Sequence, residues 1–231
     1  MSKNYMTLMG LLIVALISTG CSKGSDTTAT SRTTASPPVV DPALAFKGEE
    51  VYNQNCIFCH QEDAIGKPGT APSLTNKEFL SIAPLDFLAR TIENGRPGTG
   101  MPPFKHLGKD KIESVIAFLR SHATLPDRIK EVDAQPANRG DPSLGKTWFH
   151  EICSTCHGLE GNGYAAGGTG TAIGKAGFLN TVSDGFIRVT VKEGRSNTRM
   201  RAFSGPQGLA NLTDREIDDI IAYLRTVPSK N

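Results

Sequence analysis

Cysteine is scarce in this chain and none of it is spare. Of five cysteines, four form two Cys-x-x-Cys pairs, Cys56/Cys59 and Cys153/Cys156, and the fifth, Cys21, closes an N-terminal apolar run. No thiol remains for a structural disulfide. Charge of one sign is lacking too. With 25 Lys and Arg against 23 Asp and Glu, the net charge is +2, which excludes the basic footprint of a nucleic-acid binder. Long hydrophobic runs are absent: Met6–Ile17 is apolar for only about a dozen residues, too short to span a bilayer. Methionine is rare as well. Past residue 21 only Met101 and Met200 remain.

The N-terminus reads as an export signal over residues 1–21, with Lys3 before the apolar run. Its end, Ser18-Thr19-Gly20-Cys21, resembles a lipoprotein signal, in which cleavage before Cys21 leaves a diacylated cysteine. Ser18 stands where that family usually has Leu. Ordinary cleavage near Gly20 is the alternative, and either route exports the chain. The expected location is the periplasm or cell exterior, with a lipid anchor to the membrane. Residues 22–40 are rich in Ser, Thr and Ala without apolar periodicity. They read as a flexible tether with a reach of roughly 25 Å.

What the chain does contain, it contains twice. Asn53–His60 reads NQNCIFCH and His150–His157 reads HEICSTCH. Cys-x-x-Cys-His is the attachment signature of a c-type haem: two thiols form thioethers with the vinyl groups, and the next imidazole reaches the iron from the same side. A thioredoxin-like use needs a strand before the first cysteine, and none is readable. A zinc site built from all four cysteines leaves the repeated His60 and His157 unexplained. The expected cofactors are therefore two covalently attached haem c groups.

The flanking sequence repeats in the same order. Asp41-Pro42 and Asp141-Pro142 each open a helix, with Asp as cap and Pro in the first turn. Gly48, Tyr52 and Cys56 recur at intervals of four, as do Gly145, Phe149 and Cys153. A middle helix is expected over Leu85–Asn94, stopped by Gly95. Another carries Phe186, capped by Ser183 and stopped by Gly194. Met101 follows Arg96 by five residues, and Met200 follows Arg195 by five. The last helices carry the i, i+3, i+4, i+7 stripes Ile112/Val115/Ile116/Leu119 and Ile217/Ile220/Ile221/Leu224. Thr213 and Glu216 form a capping box. Ile116–Arg120 (IAFLR) and Ile221–Arg225 (IAYLR) are nearly identical. The expected domains are residues 41–122 and 141–228, joined by a linker over 123–140.

Each unit resembles a class I cytochrome c, and the pair resembles the bacterial diheme cytochromes of the c-four type. The resemblance implies an all-α fold of two tandem class I cytochrome c domains, whose first and last helices cross beside the haem. Gly48 and Gly145 would be the close-contact points, with Phe118 against Tyr52 and Tyr223 against Phe149. It implies His60 and His157 as proximal iron ligands and Met101 and Met200 as distal ones. The first loop, GMPPF, matches the family closely; the second, with Arg199 and Arg201 around Met200, lacks its prolines. The family's proximal histidine gives its other N–H to a proline carbonyl. Pro72 fits that place, and Gly177 stands in for it in the second unit. Arg96 and Arg195 are expected beside the haems rather than on the iron. His106, His122 and His150 have no counterparts in the other repeat and fall outside the haem sites, with His106 the one substitute ligand in reach of Met101's position. Gly161–Ala166 looks like a dinucleotide fingerprint but follows no strand.

A haem with both axial positions filled suits outer-sphere electron transfer, and His/Met ligation favours a relatively high potential. The expectation is an exported diheme electron carrier, not an enzyme, passing single electrons between redox partner proteins, with no nucleic-acid partner. The alternatives are a haem-bearing subunit of a redox complex, or a dehydrogenase, peroxidase or thiosulfate-oxidising enzyme. Arg195, Arg199 and Arg201 fall within seven residues. As a basic loop they would steer an acidic partner and raise the second haem's potential; the alternatives are a merely solvated loop, or ion pairs with the haem propionates that mute the docking role.

Overall fold

Two helical units, each closed by a crossing of its first and last helices, make up the computed structural model, which describes residues 36–230. The proposed leader, Cys21 and most of the tether lie outside the described residues. Helix α1 (Pro42–Asn55) starts where Asp41 accepts the Ala43 N–H at 2.9 Å, and α7 (Pro142–Trp148) starts where Asp141 accepts from Ser143 at 2.7 Å. Their partners are α5 (Lys109–Ser121) and α11 (Asp214–Thr226), the latter opened by the reciprocal Thr213/Glu216 box. Among the described residues there are two isolated β-bridges and no strand.

The crossings are fixed by missing side chains. A Cβ on Gly48 would lie 1.8 Å from the Ser114 carbonyl, and one on Gly145 would lie 1.8 Å from that of Asp219. Only glycine lets the backbones come this close. Aromatic pairs fill the space beside each crossing: Tyr52 with Phe118 at 5.1 Å and Phe149 with Tyr223 at 5.4 Å between centroids.

Between these helices lie α4 (Leu85–Asn94) and α10 (Asp184–Glu193), the latter capped by Ser183. Each is preceded by a short helix that the periodicity does not reveal, α3 (Lys77–Ile82) and α9 (Ala176–Leu179). Arginines, one buried and one partly buried, hold these short helices. Arg120 donates to the Leu80 carbonyl, and Arg225 donates to those of Leu179 and Val182. The repeated Leu-Arg ending of the last helix therefore has a use: it satisfies carbonyls that a short helix leaves open.

The segment 123–140 is no loose linker. It folds into α6 (Ile129–Asp133) and is bolted to both units. On the first side Ser81 Oγ donates to the Pro126 carbonyl at 2.6 Å and the Arg128 N–H donates to the Ser81 carbonyl at 2.8 Å. On the second side Val132 is fully buried against α10, where a Cβ on Gly185 would lie 1.9 Å from its carbonyl. Asp184 accepts from the Asn138 backbone and side chain at 2.7 and 2.8 Å. With this strap in place the described residues pack as one unit.

The units also touch directly. Phe79 meets Phe186 at 6.5 Å and Phe87 meets Phe178 at 6.2 Å, with Phe87 and Phe186 closing the cluster at 5.8 Å. These contacts are reciprocal, because Phe79/Phe178 and Phe87/Phe186 hold equal places in the two repeats.

Candidate haem sites

The two Cys-x-x-Cys-His segments are built differently. In the first unit α1 ends at Asn55 and α2 (Ile57–His60) follows at once. In the second, a π-helical turn over Phe149–Cys153 separates α7 from α8 (Ser154–His157). Such turns place an extra residue per turn and re-aim side chains, often at functional sites. Beyond each histidine one tyrosine pins the chain, but from opposite helices. Tyr52 on α1 donates to the Gln61 carbonyl at 2.6 Å, whereas Tyr223 on α11 donates to that of Leu159 at 3.3 Å. The Tyr/Phe exchange between the repeats leaves the hydroxyl's work unchanged.

Each histidine is oriented by a main-chain carbonyl. His60 Nδ1 lies 3.0 Å from the Pro72 carbonyl and His157 Nδ1 lies 2.8 Å from that of Thr171. The partner of His157 is therefore Thr171 and not Gly177, which instead sits near Pro97 of the first unit. The loop around Gly161–Ala166 explains this. It folds over α8, with the Gly170 N–H on the Cys156 carbonyl at 2.8 Å, and delivers residue 171 to the ring. A Cβ on Gly170 would lie 2.7 Å from the imidazole. Burial pushes both imidazoles down, opposed by these carbonyl bonds and, at His157, reinforced by Arg195, which favours the neutral ring. With Nδ1 as donor, Nε2 keeps its lone pair for a metal.

The cysteines do not form a metal cluster of their own. Burial, and then the neighbouring cysteine, push the Cys56 thiol up to about 11 and the Cys153 thiol up to about 12. Among the described residues no group of three or more His, Cys, Asp and Glu side chains is placed for a metal ion. A zinc site uniting the two pairs is thus not assembled.

The methionine loops share one hydrogen-bond pattern despite their different sequences. Arg96 N donates to the Met101 carbonyl at 3.0 Å, and Arg195 N to that of Met200 at 2.6 Å. Thr99 Oγ1 donates to the Arg96 carbonyl at 2.7 Å and accepts the Met101 N–H at 3.2 Å. Thr198 does the same for Arg195 and Met200 at 2.8 and 3.0 Å. The second loop therefore holds its shape without prolines. His106 is exposed beside Phe104, at 6.0 Å between centroids. His122 bonds the Phe118 carbonyl at 3.0 Å, and His150 lies 3.3 Å from the Tyr223 hydroxyl.

Both motifs and both methionines line one largely apolar cavity of about 1320 Å³ that runs across the contact between the units. This exceeds the roughly 300–1,000 Å³ of a pocket for one small ligand. Arg96 and Arg195 line it too. Arg96 packs over the Phe178 ring at 5.2 Å and donates to the Ala172 carbonyl, while Arg195 packs over Phe79 at 4.9 Å. The Arg195 Nε is buried without a hydrogen-bond partner, and the guanidinium is pushed down to about 10 by burial and then by Arg96. Two cations turned into an apolar cavity, one with an orphaned donor, fit groups that carry carboxylates on an apolar macrocycle, as haem does. The basic loop read at Arg195, Arg199 and Arg201 is corrected here. Arg195 has withdrawn to the contact between units because its rigid planar guanidinium finds an aromatic face there, and only Arg199 and Arg201 are exposed.

Comparison with known proteins agrees with the repeat. The family model described as cytochrome c oxidase, cbb3-type, subunit III matches residues 43–119, and the cytochrome c model matches residues 142–228. A Rubrivivax gelatinosus protein named cbb3-type cytochrome c oxidase subunit CcoP is 29% identical over 80% of this chain and 55% of its own length. A Mycobacterium leprae protein named cytochrome bc1 complex cytochrome c subunit is 26% identical over 80% of this chain and 62% of its own. A solved chain of the Kuenenia stuttgartiensis reducing HAO-like protein complex shares 20% identity, with a TM-score of 0.45, over 83% of this chain and 98% of its own. The chain thus spans 55–62% of the length of these two curated relatives.

Proposed function

We propose that this chain, which belongs to the cytochromes c as two class I domains in tandem with two covalently attached haem c groups, is a single-electron relay between redox partner proteins. Haem c supplies a one-electron ferric/ferrous couple when attached. The cysteines fix each macrocycle, Cys56 and Cys59 in one domain and Cys153 and Cys156 in the other. His60 and His157, oriented by the Pro72 and Thr171 carbonyls, would bind the irons through Nε2. Met101 and Met200, which line the same cavity, would supply the second ligand of each iron. The observation that carries the proposal is the shared cavity, lined by both motifs and both methionines. Residues of both haem sites surround one largely apolar space, which supports passage of an electron from one domain to the other.

Relatives named as oxidase and bc1-complex subunits support work beside a larger redox complex. The exposed Arg199 and Arg201, flanking Met200, suit an acidic partner. A diacylated Cys21 would hold the domains at a membrane surface, since two acyl chains anchor stably where one does not. No helix among the described residues is long and apolar enough to cross a membrane.

The test is optical redox titration of the purified protein with and without carbon monoxide. Two low-spin haems that stay on the chain through acid acetone and refuse carbon monoxide are expected. Carbon monoxide binding to the native protein would sink the relay and favour an enzyme. Cys21→Ala should move the protein from the membrane fraction to the soluble one. Unchanged fractionation would discard the lipid anchor.

A further inference from the structure

The two cavity arginines are not distributed evenly. Arg96 belongs to the first domain, and its backbone N–H holds the first methionine loop. Its side chain leaves that domain altogether. The guanidinium lies over Phe178 at 5.2 Å and donates to the Ala172 carbonyl, both in the second domain. Ala172 adjoins Thr171, whose carbonyl takes the His157 N–H at 2.8 Å. Arg195 lies over Phe79, the equivalent ring of the first domain, and its buried Nε makes no matching hydrogen bond. The second haem's histidine loop thus carries a guanidinium that comes from the other domain. In the opposite direction the second domain sends a half-buried Lys175 against Gly98, on the outer arm of the first methionine loop. Among the described residues neither arginine forms an ion pair.

We propose that Arg96, a residue of the first domain, sets the potential of the second domain's haem. The inference rests on the two-haem relay above and adds a direction to it. A fixed positive charge in an apolar, low-dielectric cavity opposes the gain of positive charge on oxidation, and so stabilises the reduced iron. The hydrogen bond to the Ala172 carbonyl also fixes the peptide that follows the one whose Thr171 carbonyl orients His157. By this charge and this bond Arg96 raises the potential of the second haem and favours it as the electron sink of the pair. Arg96 acts through space and through Thr171, which makes it a positioning residue and not a ligand.

The experiment is a redox titration of the full-length holoprotein, followed through the paramagnetic resonances of each haem and assigned by contacts to Tyr52 or Phe149. Arg96→Gln should lower the second haem's midpoint by about a tenfold change in its reduction equilibrium, ~59 mV for one electron, and leave the first haem's midpoint nearly unmoved. Arg96→Lys keeps the charge and should recover most of that shift, which loss of folding would not do. Equal shifts of both midpoints would make Arg96 a clamp between domains and overturn the proposal. So would a shift of the first haem alone, or none. A wild-type protein without two reversible one-electron steps would overturn the relay together with this refinement of it.

Discussion

At the scale of residues, a threonine ties the two ends of each methionine loop together, with prolines beside it in the first loop and without them in the second. Thr198 Oγ1 donates to one end of the loop and accepts from the other. Thr198→Val keeps the shape of the side chain and removes both bonds, a loss of about 1–3 kcal/mol. It should loosen Met200 and admit carbon monoxide to one haem of two. A spectrum unchanged under carbon monoxide would show that the backbone alone holds the loop. Met101→Ala should open the first iron in the same assay. Both methionines stood out in the sequence because only two remain past residue 21 and both precede the last helix, and both line the cavity. The acceptor for His157 was not legible. A main-chain carbonyl has no residue signature, and the proline that marks it in the first repeat is missing from the second. Arg96 and Arg195 stood out by their equal distance from methionine, yet nothing in a linear pattern says that a side chain crosses to another domain. Arg199→Gln with Arg201→Gln should weaken the salt dependence of the on-rate with an acidic partner; an unchanged salt slope would leave them as solvated surface.

At the scale of elements, the fold was readable wherever a helix announces its own ends. Asp41, Asp141, Ser183 and Thr213 each cap the helix they precede. The short helices α3 and α9 were missed because so few turns show no period, and α6 because the segment read as a linker by its prolines. The strap is also where acid should act. Burial raises the Asp184 carboxyl, but the Asn138 bonds and Arg225 outweigh it and hold the group below its usual value. A depressed folded-state pKa contributes stability that is present above the unfolded value, about 3.9, and is lost as pH falls through the folded one. The thermal midpoint should therefore fall below about pH 4, and Asp184→Asn should flatten that limb. An identical acid limb in the variant would place the sensitivity elsewhere. Gly48→Ala meets a different obstacle, since its Cβ would overlap the Ser114 carbonyl. Prising α1 from α5 should cost about 3 kcal/mol, read as a lower denaturant midpoint.

At the scale of the molecule, two links compete to make two domains behave as one. Arg128 bonds Glu193 with both nitrogens, at 2.8 and 2.9 Å, but the pair is a third to nearly half exposed. An ion pair in that setting contributes about 1 kcal/mol at most. Phe87 is 5% exposed and touches Phe79 in its own domain and Phe178 and Phe186 across the boundary. Truncating such a ring costs about 3–5 kcal/mol, and much of that loss falls on the contact itself. The aromatic cluster should therefore dominate the coupling. Calorimetry of the native holoprotein should show one unfolding transition. Arg128→Ala should shift it slightly and leave it single. Phe87→Ala should split it into two, because each domain keeps its own crossing of first and last helices. The same variant should slow electron exchange between the haems after one is reduced by a short pulse, since the cavity that joins them is framed by these rings. A single, merely lowered transition in Phe87→Ala, with unchanged exchange, would assign the coupling to the strap over residues 123–140 instead.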